Sequence, residues 1–437
     1  MAARAAALVL CAAGAAAGIV LTENMATKTP YNTHCDEWRE AIPTHYGCRA
    51  GAEPAYVEYV ARHGTRYPMV SDMGRLVHLE SILRENEEML RPQYQWMANW
   101  TSPYQAERGG ALHSTGVAEH FGIGHRWRMD GDQNGTLAPP YAPWRYRFST
   151  TDLTRTFQSA AAFGSGVFGV SRDDENMVPV YLTTVPRKDD SEMRFFDHCP
   201  LYTSQHKAMK APAEAWAARH GEDLALRVQA RISDDDVPWV DFKVASYMWR
   251  ACAFEVALQR DNSRFCTAFS DADFLAMDFY FDLKTYYLKG PGTPLATAIA
   301  YPLADSIRRG LQRAANCEGE CPLAAHFRFA HAETLLPLVA LLGLFGDDPP
   351  LDASWTPAQQ SARVWRSSQI APFGANLRFN LYTDCSAGPI VELVHNEAQL
   401  PWPGRDSAYL PLDEFTVRIP GGFETYSGVQ EACATGE

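Results

Sequence analysis

The stretch Arg62-His63-Gly64-Thr65-Arg66-Tyr67-Pro68 decides the interpretation of this chain. It follows a run with strand composition, Tyr56 to Ala61, and places two guanidinium groups and one imidazole within five positions. Arginine binds phosphate through two parallel hydrogen bonds, and its charge cannot be titrated away. An imidazole among such groups can attack phosphorus and carry the phosphoryl group as a covalent intermediate. The stretch therefore predicts a phosphate site; the simpler alternative is a surface turn with solvated arginines.

Two more motifs follow this stretch in chain order. The first is a strand-like run, Phe148 to Thr151, followed by Arg155 and the pair Ser159-Ala160. The second is His331-Ala332-Glu333, which comes directly after the strand-like run Ala325 to Ala330. In an open α/β sheet, ligands bind beyond the carboxyl ends of the strands, and a helix start favours an anion. The sequence therefore predicts that His63 and His331 lie in one crevice.

In this order the motifs resemble those of the histidine acid phosphatases, a branch of the histidine phosphatase superfamily with the signature RHGxRxP. The His-Ala-Glu form is similar to the multiple inositol-polyphosphate phosphatases (MINPP-type phytases) and differs from the His-Asp form of other phytases. Two further stretches resemble that subfamily: Arg194 to Cys199, and a late strand from Val391 to Pro401 that contains Asn396-Glu397. The resemblance covers the chain from about Tyr31 onwards. It implies an α/β sheet domain with an inserted all-helical domain.

The resemblance also implies roles for single residues. His63 would be the nucleophile, and Glu333 would protonate the leaving oxygen and then activate water. The contacts to the phosphoryl oxygens would come from Arg62, Arg66, Arg155 and His331. Structural alternatives remain for three of these residues: a salt-bridging surface position for Arg155, a hydrogen-bonded core histidine for His331, and an acid favoured by the helix dipole for Glu333. No residue set requires a metal or another cofactor.

The overall charge restricts the class of partner. The 437 residues carry a formal net charge of −13, and no basic block appears, which argues against binding to nucleic acid. A small polyanionic substrate would be repelled by this global field, so a locally positive cleft has to attract it. The candidates for its substrate-binding wall are Thr65, Arg187, Lys188, Lys207 and Lys210. A solvated charged face is the alternative for each of the basic residues.

The hydrophobic periodicity predicts the order of the elements. We expect an α/β domain from residues 31–191 and 320–437, interrupted by a helical insertion at 192–319, after a signal segment at 1–21. Helices are predicted over 73–90, 155–170, 211–230, 271–288 and 334–345. Strands are predicted over 56–61, 146–150, 178–185, 325–330, 377–383, 389–395 and 414–419.

The N-terminus and the cysteines predict the secretory route. Arg4, an apolar run and Ala15-Ala16-Ala17 resemble a signal peptide with its cleavage site, and a retained membrane anchor is the alternative. After removal of the signal no stable membrane association is expected. Nine cysteines would remain, which predicts four disulfides and one free thiol, with Cys252–Cys266 and Cys317–Cys321 as the local pairs. Two sequons predict glycans at Asn99 and Asn134. The ending Ala434 to Glu437 lacks a KDEL-type signal, which argues against retention in the endoplasmic reticulum.

The functional prediction is a secreted phosphoric monoester hydrolase that acts on phytate through a phosphohistidine. The alternative enzyme is a broad-specificity histidine acid phosphatase that acts on small monoesters. From another class, the chain could be a secreted protein that binds phosphate esters and has lost activity.

Overall fold

The structure is a computed structural model that describes residues 23–31, 44–132, 141–169, 179–319 and 321–418, together with Glu431 and Cys433. The predicted signal at 1–21, the sequon at Asn134 and Cys35 lie outside the described residues. Among the described residues, none of the helices combines the length and apolar composition that a membrane span needs.

The described strands form one mixed sheet. The strand order is β3-β2-β4-β1-β5-β6-β7, and β8 pairs with β6. Strands β3, β2, β4 and β1 run parallel to one another, whereas β5 to β8 pair antiparallel. The bounds are β1 Tyr56–Arg62, β2 Tyr146–Thr151, β3 Leu182–Val185, β4 Ala325–Ala330, β5 Asn376–Tyr382, β6 Ile390–His395, β7 Ala398–Gln399 and β8 Tyr409–Pro411. The parallel half brings the carboxyl ends of β2, β4 and β1 to one edge.

Helices surround the sheet and fill the segment between β3 and β4. The α-helices are α1 Val70–Glu85, α2 Ser114–Asp132, α3 Thr154–Phe168, α4 Pro200–Ile232, α5 Phe242–Gln259, α6 Asp271–Lys289, α7 Pro294–Ala298, α8 Tyr301–Ala315, α9 Ala332–Leu341, α10 Pro357–Ala362, α11 Ser367–Ile370 and α12 Leu412–Arg418. Short 3-10 helices lie at Ala26–Lys28, Thr44–Tyr46, Glu87–Met89, Pro92–Met97, Ala106–Arg108, Phe195–Asp197 and Phe265–Ala268. From Pro200 to Ala315 the regular elements are all helical. The division of the chain into two domains stays a prediction.

Both faces of strand β1 are covered, which explains why apolar and aromatic residues dominate it. Successive side chains of a strand point to opposite faces. Val57, Tyr59 and Ala61 pack with the aromatic layer under α3, in which Tyr59 and Phe163 stack with ring centres 5.1 Å apart. Tyr56 and Val60 belong to the larger core on the other face, which also contains side chains of the helical segment and of α9. This double burial fixes the position at which β1 ends and the Arg62–Pro68 stretch begins.

Two of the predicted strands are corrected. The described part of the segment 414–419 is not a strand: Leu412–Arg418 is a helix, in which Leu412 and Phe415 are buried and two acids lie in the first turn. Spacing of buried residues by three positions is helical, and acids at a helix start are favoured by the dipole. The stretch Val391 to Pro401 is also not one strand, because β6 ends at His395 and Asn396 and Glu397 adopt positive φ.

Four disulfides are formed between described cysteines. The two predicted local pairs, Cys252–Cys266 and Cys317–Cys321, are confirmed. The other two join distant parts of the chain: Cys48 to Cys385, and Cys199 to Cys433. A covalent link over 337 residues in one case and 234 in the other removes conformational freedom mainly from the unfolded chain.

Candidate active site

The predicted crevice forms where β1 and β4 end side by side. Arg62 pairs in register with Ala330, and the backbone N–H of His63 donates to the carbonyl of Ala330 over 3.0 Å. His331 directly follows β4, so the imidazoles of His63 and His331 are neighbours. Their ring centres lie 5.6 Å apart in an edge-on arrangement. Parallel pairing therefore places the two predicted histidines together, as the sequence indicated.

His63 is held as a neutral imidazole with a defined tautomer. Its Nδ1 lies 2.9 Å from the carbonyl oxygen of Gly64. A carbonyl oxygen only accepts, so Nδ1 carries the proton and the lone pair of Nε2 is free. Burial, reinforced by the charges of Arg62, Arg155 and Arg66, holds the pKa of His63 well below its ordinary value. A neutral imidazole with a free Nε2 is the form that can attack an electrophile.

The three predicted arginines surround His63. Burial, with the charge of Arg66 next, lowers the pKa of Arg62 to about 9 and that of Arg155 to about 10. The Nε atoms of Arg62, Arg66 and Arg155 are buried and have no hydrogen-bond partner, and none of these guanidiniums forms a salt bridge within the described ranges. The guanidinium of Arg62 also stacks 4.3 Å from the ring centre of Phe373. Unpaired buried charges of one sign are costly, which indicates that an anion completes the cluster.

His331 is oriented by two residues behind it. Its Nε2 lies 3.0 Å from Nη1 of Arg194 and 2.9 Å from the hydroxyl of Thr151. Arginine only donates, so Nε2 accepts and the proton of the neutral ring is on Nδ1. Arg194 is itself fixed by Asp197, which accepts from its Nε over 2.8 Å. The neutral His331 is thus a hydrogen-bond donor through Nδ1 beside the arginine cluster.

Glu333 lies in the first turn of α9 and forms an ion pair that the sequence did not reveal. Nζ of Lys289, the last residue of α6, donates to its Oε1 over 2.7 Å. Burial acts to raise the pKa of Glu333, but the charge of Lys289 and the hydrogen bond from its ammonium outweigh burial and hold the pKa far below its ordinary value. The side chain of Glu333 is 43% exposed, so its ionised carboxylate is accessible from the crevice.

Helix α2 supports the backbone of the Arg62–Pro68 stretch. Glu119 accepts two hydrogen bonds of 2.7 Å from Thr65, one from the N–H and one from the hydroxyl. Nε2 of the next residue, His120, lies 3.0 Å from the carbonyl of Arg62. The two backbones also cross at Gly64 and Gly116, where a Cβ on Gly64 would lie 2.4 Å from the carbonyl oxygen of Gly116. Glycine is required here because the chains approach too closely for any side chain.

One predicted substrate contact is corrected by this arrangement. Thr65 was expected in the substrate-binding wall, but its side chain is fully buried and its hydroxyl is bonded to Glu119. Its role is to anchor the stretch, and the side chain does not reach the crevice.

A first prediction concerns this anchor. We expect Glu119→Ala to lower the free energy of unfolding by about 1–3 kcal/mol, because two buried donors of Thr65 lose their acceptor. Displacement of the loop should lower kcat/KM for p-nitrophenyl phosphate about tenfold, which corresponds to roughly 1.4 kcal/mol in the transition state. Urea unfolding and steady-state kinetics measure the two effects, with the exposed Glu107→Ala as the matched control. A loss of stability with unchanged kinetics would mean that Glu119 supports α2 and not the loop.

Comparison with known proteins identifies the family. A family profile described as "Histidine phosphatase superfamily (branch 2)" matches residues 55–396. The chain belongs to this family. This confirms the family predicted from the sequence and the class of enzyme, a phosphatase.

The family members most informative for this chain are inositol-phosphate enzymes by name. This chain is 24% identical to multiple inositol polyphosphate phosphatase 1 of Dictyostelium discoideum, over 85% of this chain and 66% of that protein. The protein of the same name from Gallus gallus is 29% identical, over 76% of this chain and 73% of the relative. Among solved structures, the Bifidobacterium longum multiple inositol polyphosphate phosphatase, in complex with inositol hexasulfate, has a TM-score of 0.70 at 18% identity, over 91% of this chain and 98% of that one. The D. castellii phytase has a TM-score of 0.75 at 16% identity, over 95% and 88%. These structures confirm the predicted fold class.

A second set of cations lies next to the arginine cluster of this histidine phosphatase. We call Lys28, Arg250, Lys284 and Lys289 the distal cations. The ammonium of Lys28 lies 5.3 Å from the ring centre of Phe281 in α6, and burial, then the charges of Arg250, Arg66 and Arg62, lower its pKa. Burial, then Arg250, Lys210 and Lys289, lower the pKa of Lys284 to about 8. Two acids oppose these charges: Asp72, 3.0 Å from Arg250, and Glu333.

The basic residues of the substrate wall predicted from the sequence are not among the distal cations. Lys210 contributes charge at Lys284, and Arg187 contributes charge at Arg155, although Arg187 is 62% exposed and paired with Asp197. Lys188 and Lys207 are exposed. The distal cations come instead from α5, α6 and the segment before β1, where sequence reasoning placed no candidate.

Proposed function

We propose that this chain hydrolyses inositol polyphosphates, phytate among them, through a phosphohistidine formed on His63. The observation that carries the proposal is the cluster of three guanidiniums that have buried Nε atoms and form no salt bridge in the described structure, around a neutral imidazole whose Nε2 is free. Such a cluster stabilises the charge that spreads over the equatorial oxygens of a transferring phosphoryl group. The relatives named multiple inositol polyphosphate phosphatase support the choice of substrate.

In the first step the lone pair on Nε2 of His63 attacks phosphorus in line with the ester oxygen. The P–O bond to the alcohol breaks, and its electron pair goes to the leaving oxygen. The carboxyl group of Glu333 gives its proton to that oxygen, so the product leaves as a neutral alcohol. The guanidiniums of Arg62, Arg66 and Arg155 and the Nδ1–H of His331 contact the three equatorial oxygens.

In the second step water attacks the phosphohistidine. The carboxylate of Glu333, now deprotonated, takes a proton from the water. The P–N bond breaks, its electron pair returns to Nε2 of His63, and inorganic phosphate is released. The Nδ1–H of His63 stays bonded to Gly64 throughout, which keeps the ring oriented for both steps.

The distal cations support a substrate with several phosphates. A single phosphate occupies the arginine cluster, whereas further phosphates of the same molecule would meet Lys28, Lys284 and Arg250. Local positive charge of this kind can attract a polyanion to a protein whose net charge is −13.

We also propose that the protein travels the secretory route. Four disulfides support an oxidising compartment. Asn99, the sequon within the described residues, is exposed in a turn, where a glycan can be accommodated. Mass spectrometry of the secreted chain, before and after enzymatic removal of glycans, tests both the signal removal and the glycan.

Phosphate release tests the proposed activity. We expect purified protein, without added metal, to release phosphate from phytate with a higher kcat/KM than from sn-glycerol 3-phosphate. Comparable values would favour the broad-specificity acid phosphatase, for which the arginine cluster alone suffices. Tight phytate binding without any release would favour the binding protein.

A second prediction concerns the distal cations. We expect added salt to lower kcat/KM for phytate more steeply than for sn-glycerol 3-phosphate, because exposed charges are screened beyond about 10 Å at 0.1 M salt. Lys284→Met should raise KM for phytate about tenfold, which corresponds to about 1.4 kcal/mol of lost attraction. Lys207→Met is the matched control on the neighbouring helix α4. Equal effects of the two changes would place the wall where the sequence predicted it.

A further inference from the structure

The ion pair between Lys289 and Glu333 joins the helical segment to the proposed proton donor. Lys289 ends α6, and its Nζ lies 2.7 Å from Oε1 of Glu333 in the first turn of α9. The position of Lys289 is fixed by its neighbour, because the hydroxyl of Tyr202 in α4 donates to the carbonyl of Leu288 over 2.5 Å. The side chains are 22% and 43% exposed, so a ligand in the crevice can reach both.

The surroundings of Glu333 are almost entirely cationic or neutral. The charged and titratable groups that interact with it are Lys289, His331, Arg62, Arg66, Arg155 and Tyr202. The carboxylate of Glu333 accepts one hydrogen bond from Nζ of Lys289 and one from its own backbone N–H, whereas the three arginines lie around His63. Of these charges, the ammonium of Lys289 is therefore the one that holds the carboxylate directly.

This arrangement conflicts with the role that the reaction requires. A group that protonates the leaving oxygen must carry a proton before the bond breaks. The ammonium of Lys289, 2.7 Å from Oε1, stabilises the ionised carboxylate and lowers the pKa of Glu333, so the free site opposes protonation of this group. Something that arrives with the substrate has to remove the stabilisation of the carboxylate.

We propose that Lys289 governs the protonation of Glu333: it holds the carboxylate in the free site and releases it when a second phosphate of the substrate takes the ammonium. This rests on the proposed function. The attacked phosphate binds the arginine cluster. A neighbouring phosphate on the same ring binds Lys289, which is one of the distal cations. Glu333 then faces two phosphates without its counter-ion and takes up one proton from solvent. That proton passes to the leaving oxygen, and the attacking water later replaces it.

The proposal makes Lys289 a specificity-determining residue. A substrate with one phosphate binds the arginine cluster but leaves the ion pair intact, so Glu333 stays ionised and an alkoxide leaves without a proton. A polyphosphate provides the second phosphate and activates the donor itself. Discrimination between the two classes then comes from proton supply as well as from binding.

The kinetics of Lys289→Met test this proposal with two substrates. sn-Glycerol 3-phosphate has one phosphate and an alkoxide leaving group that needs a proton. p-Nitrophenyl phosphate is the reference, because its leaving group needs no proton. Without the ammonium the pKa of Glu333 rises, and above that pKa each unit of rise increases the protonated fraction tenfold. We expect the ratio of kcat/KM for glycerol phosphate to that for p-nitrophenyl phosphate to rise about tenfold at pH 6.5–7. Lys289→Arg should restore the ratio, and Lys243→Met, on an exposed part of α5, is the matched control.

A ratio that falls in Lys289→Met at every pH overturns the proposal, since it means that Lys289 only orients Glu333. The ratio is measured with single-phosphate substrates, so it is informative whether or not the wild-type protein hydrolyses phytate. Failure of phytate hydrolysis with a raised ratio would therefore reject the proposed substrate and keep the control of Glu333 by Lys289.

Proton uptake gives a readout that does not need turnover. Titration of His63→Ala with phytate, in buffers of different ionisation enthalpy, yields the number of protons taken up at pH 6. Comparison with His63→Ala/Glu333→Gln isolates the contribution of Glu333, for which we expect about one proton. In His63→Ala/Lys289→Met this contribution should fall, because the carboxyl group is already partly protonated before binding. Equal uptake with and without Glu333 would reject the proposal.

Discussion

His63→Ala should abolish turnover and the covalent intermediate together. The imidazole that attacks phosphorus is absent, and no described side chain can replace a nucleophile fixed by the Gly64 carbonyl. Removal of a nucleophile costs on the order of 10⁴-fold or more in kcat. Rapid acid quench of wild-type protein with ³²P-labelled substrate should give acid-labile label on the protein, and the variant should give none.

The interpretation requires that the variant folds. His63 packs against His331 and Phe373, so its removal leaves a small gap at the edge of the core, and native circular dichroism is the necessary control. The exposed His125→Ala, in α2, carries the same change away from the site and should keep both label and turnover. Substantial turnover in a folded His63→Ala protein would end the phosphohistidine mechanism.

The parallel half of the sheet was predictable because each motif follows a strand. β1, β2 and β4 are runs with strand composition that end at a polar motif, and their predicted bounds differ from the observed ones by a residue at most. The C-terminal strand at 414–419 failed for a physical reason. Burial of Leu412 and Phe415 against the sheet requires the helical period.

The site was predictable where its residues are local in sequence. His63, its flanking arginines, His331 and Glu333 come from two short motifs at neighbouring strand ends. The partners that set their chemistry are distant: Arg194 lies 137 residues from His331, and Lys289 lies 44 residues from Glu333. Arg194 had a signal, since it begins one of the stretches that resemble the family, whereas nothing in the sequence around Lys289 marks it.

The same limit applies to the disulfides and to the substrate wall. The local pairs were predictable from short spacing, but Cys48–Cys385 and Cys199–Cys433 depend on how distant segments meet. Likewise, the basic residues next to the motifs were natural candidates for the wall. The packing of α5 and α6 against the segment at Ala26–Lys28 instead brings Lys28, Arg250 and Lys284 together. The sequence gives the number of charged residues, but their positions relative to a ligand depend on the fold.

Glu333→Gln should separate substrates by their leaving groups. We expect kcat/KM for phytate to fall roughly 10²–10³-fold, since an alkoxide needs the proton that glutamine cannot supply. The loss for p-nitrophenyl phosphate should stay below about tenfold, because a phenolate leaves without protonation. Glutamine keeps an oxygen that can accept from Lys289, so the geometry at the start of α9 is preserved. Steady-state kinetics on both substrates, with the exposed Glu214→Gln as control, measure the difference.

The pH dependence of the same variant adds a test that positioning alone cannot pass. In the wild-type protein, the ratio of kcat/KM for phytate to that for p-nitrophenyl phosphate should fall as pH rises, because the protonated fraction of Glu333 in the complex with phytate falls. Glu333→Gln has no proton to lose there, so its ratio should be low and independent of pH. Equal losses on both substrates, or a ratio that still varies with pH, would leave Glu333 as an acid that only stabilises the start of α9. The proton donor would then have to be sought among the other groups that face the leaving oxygen.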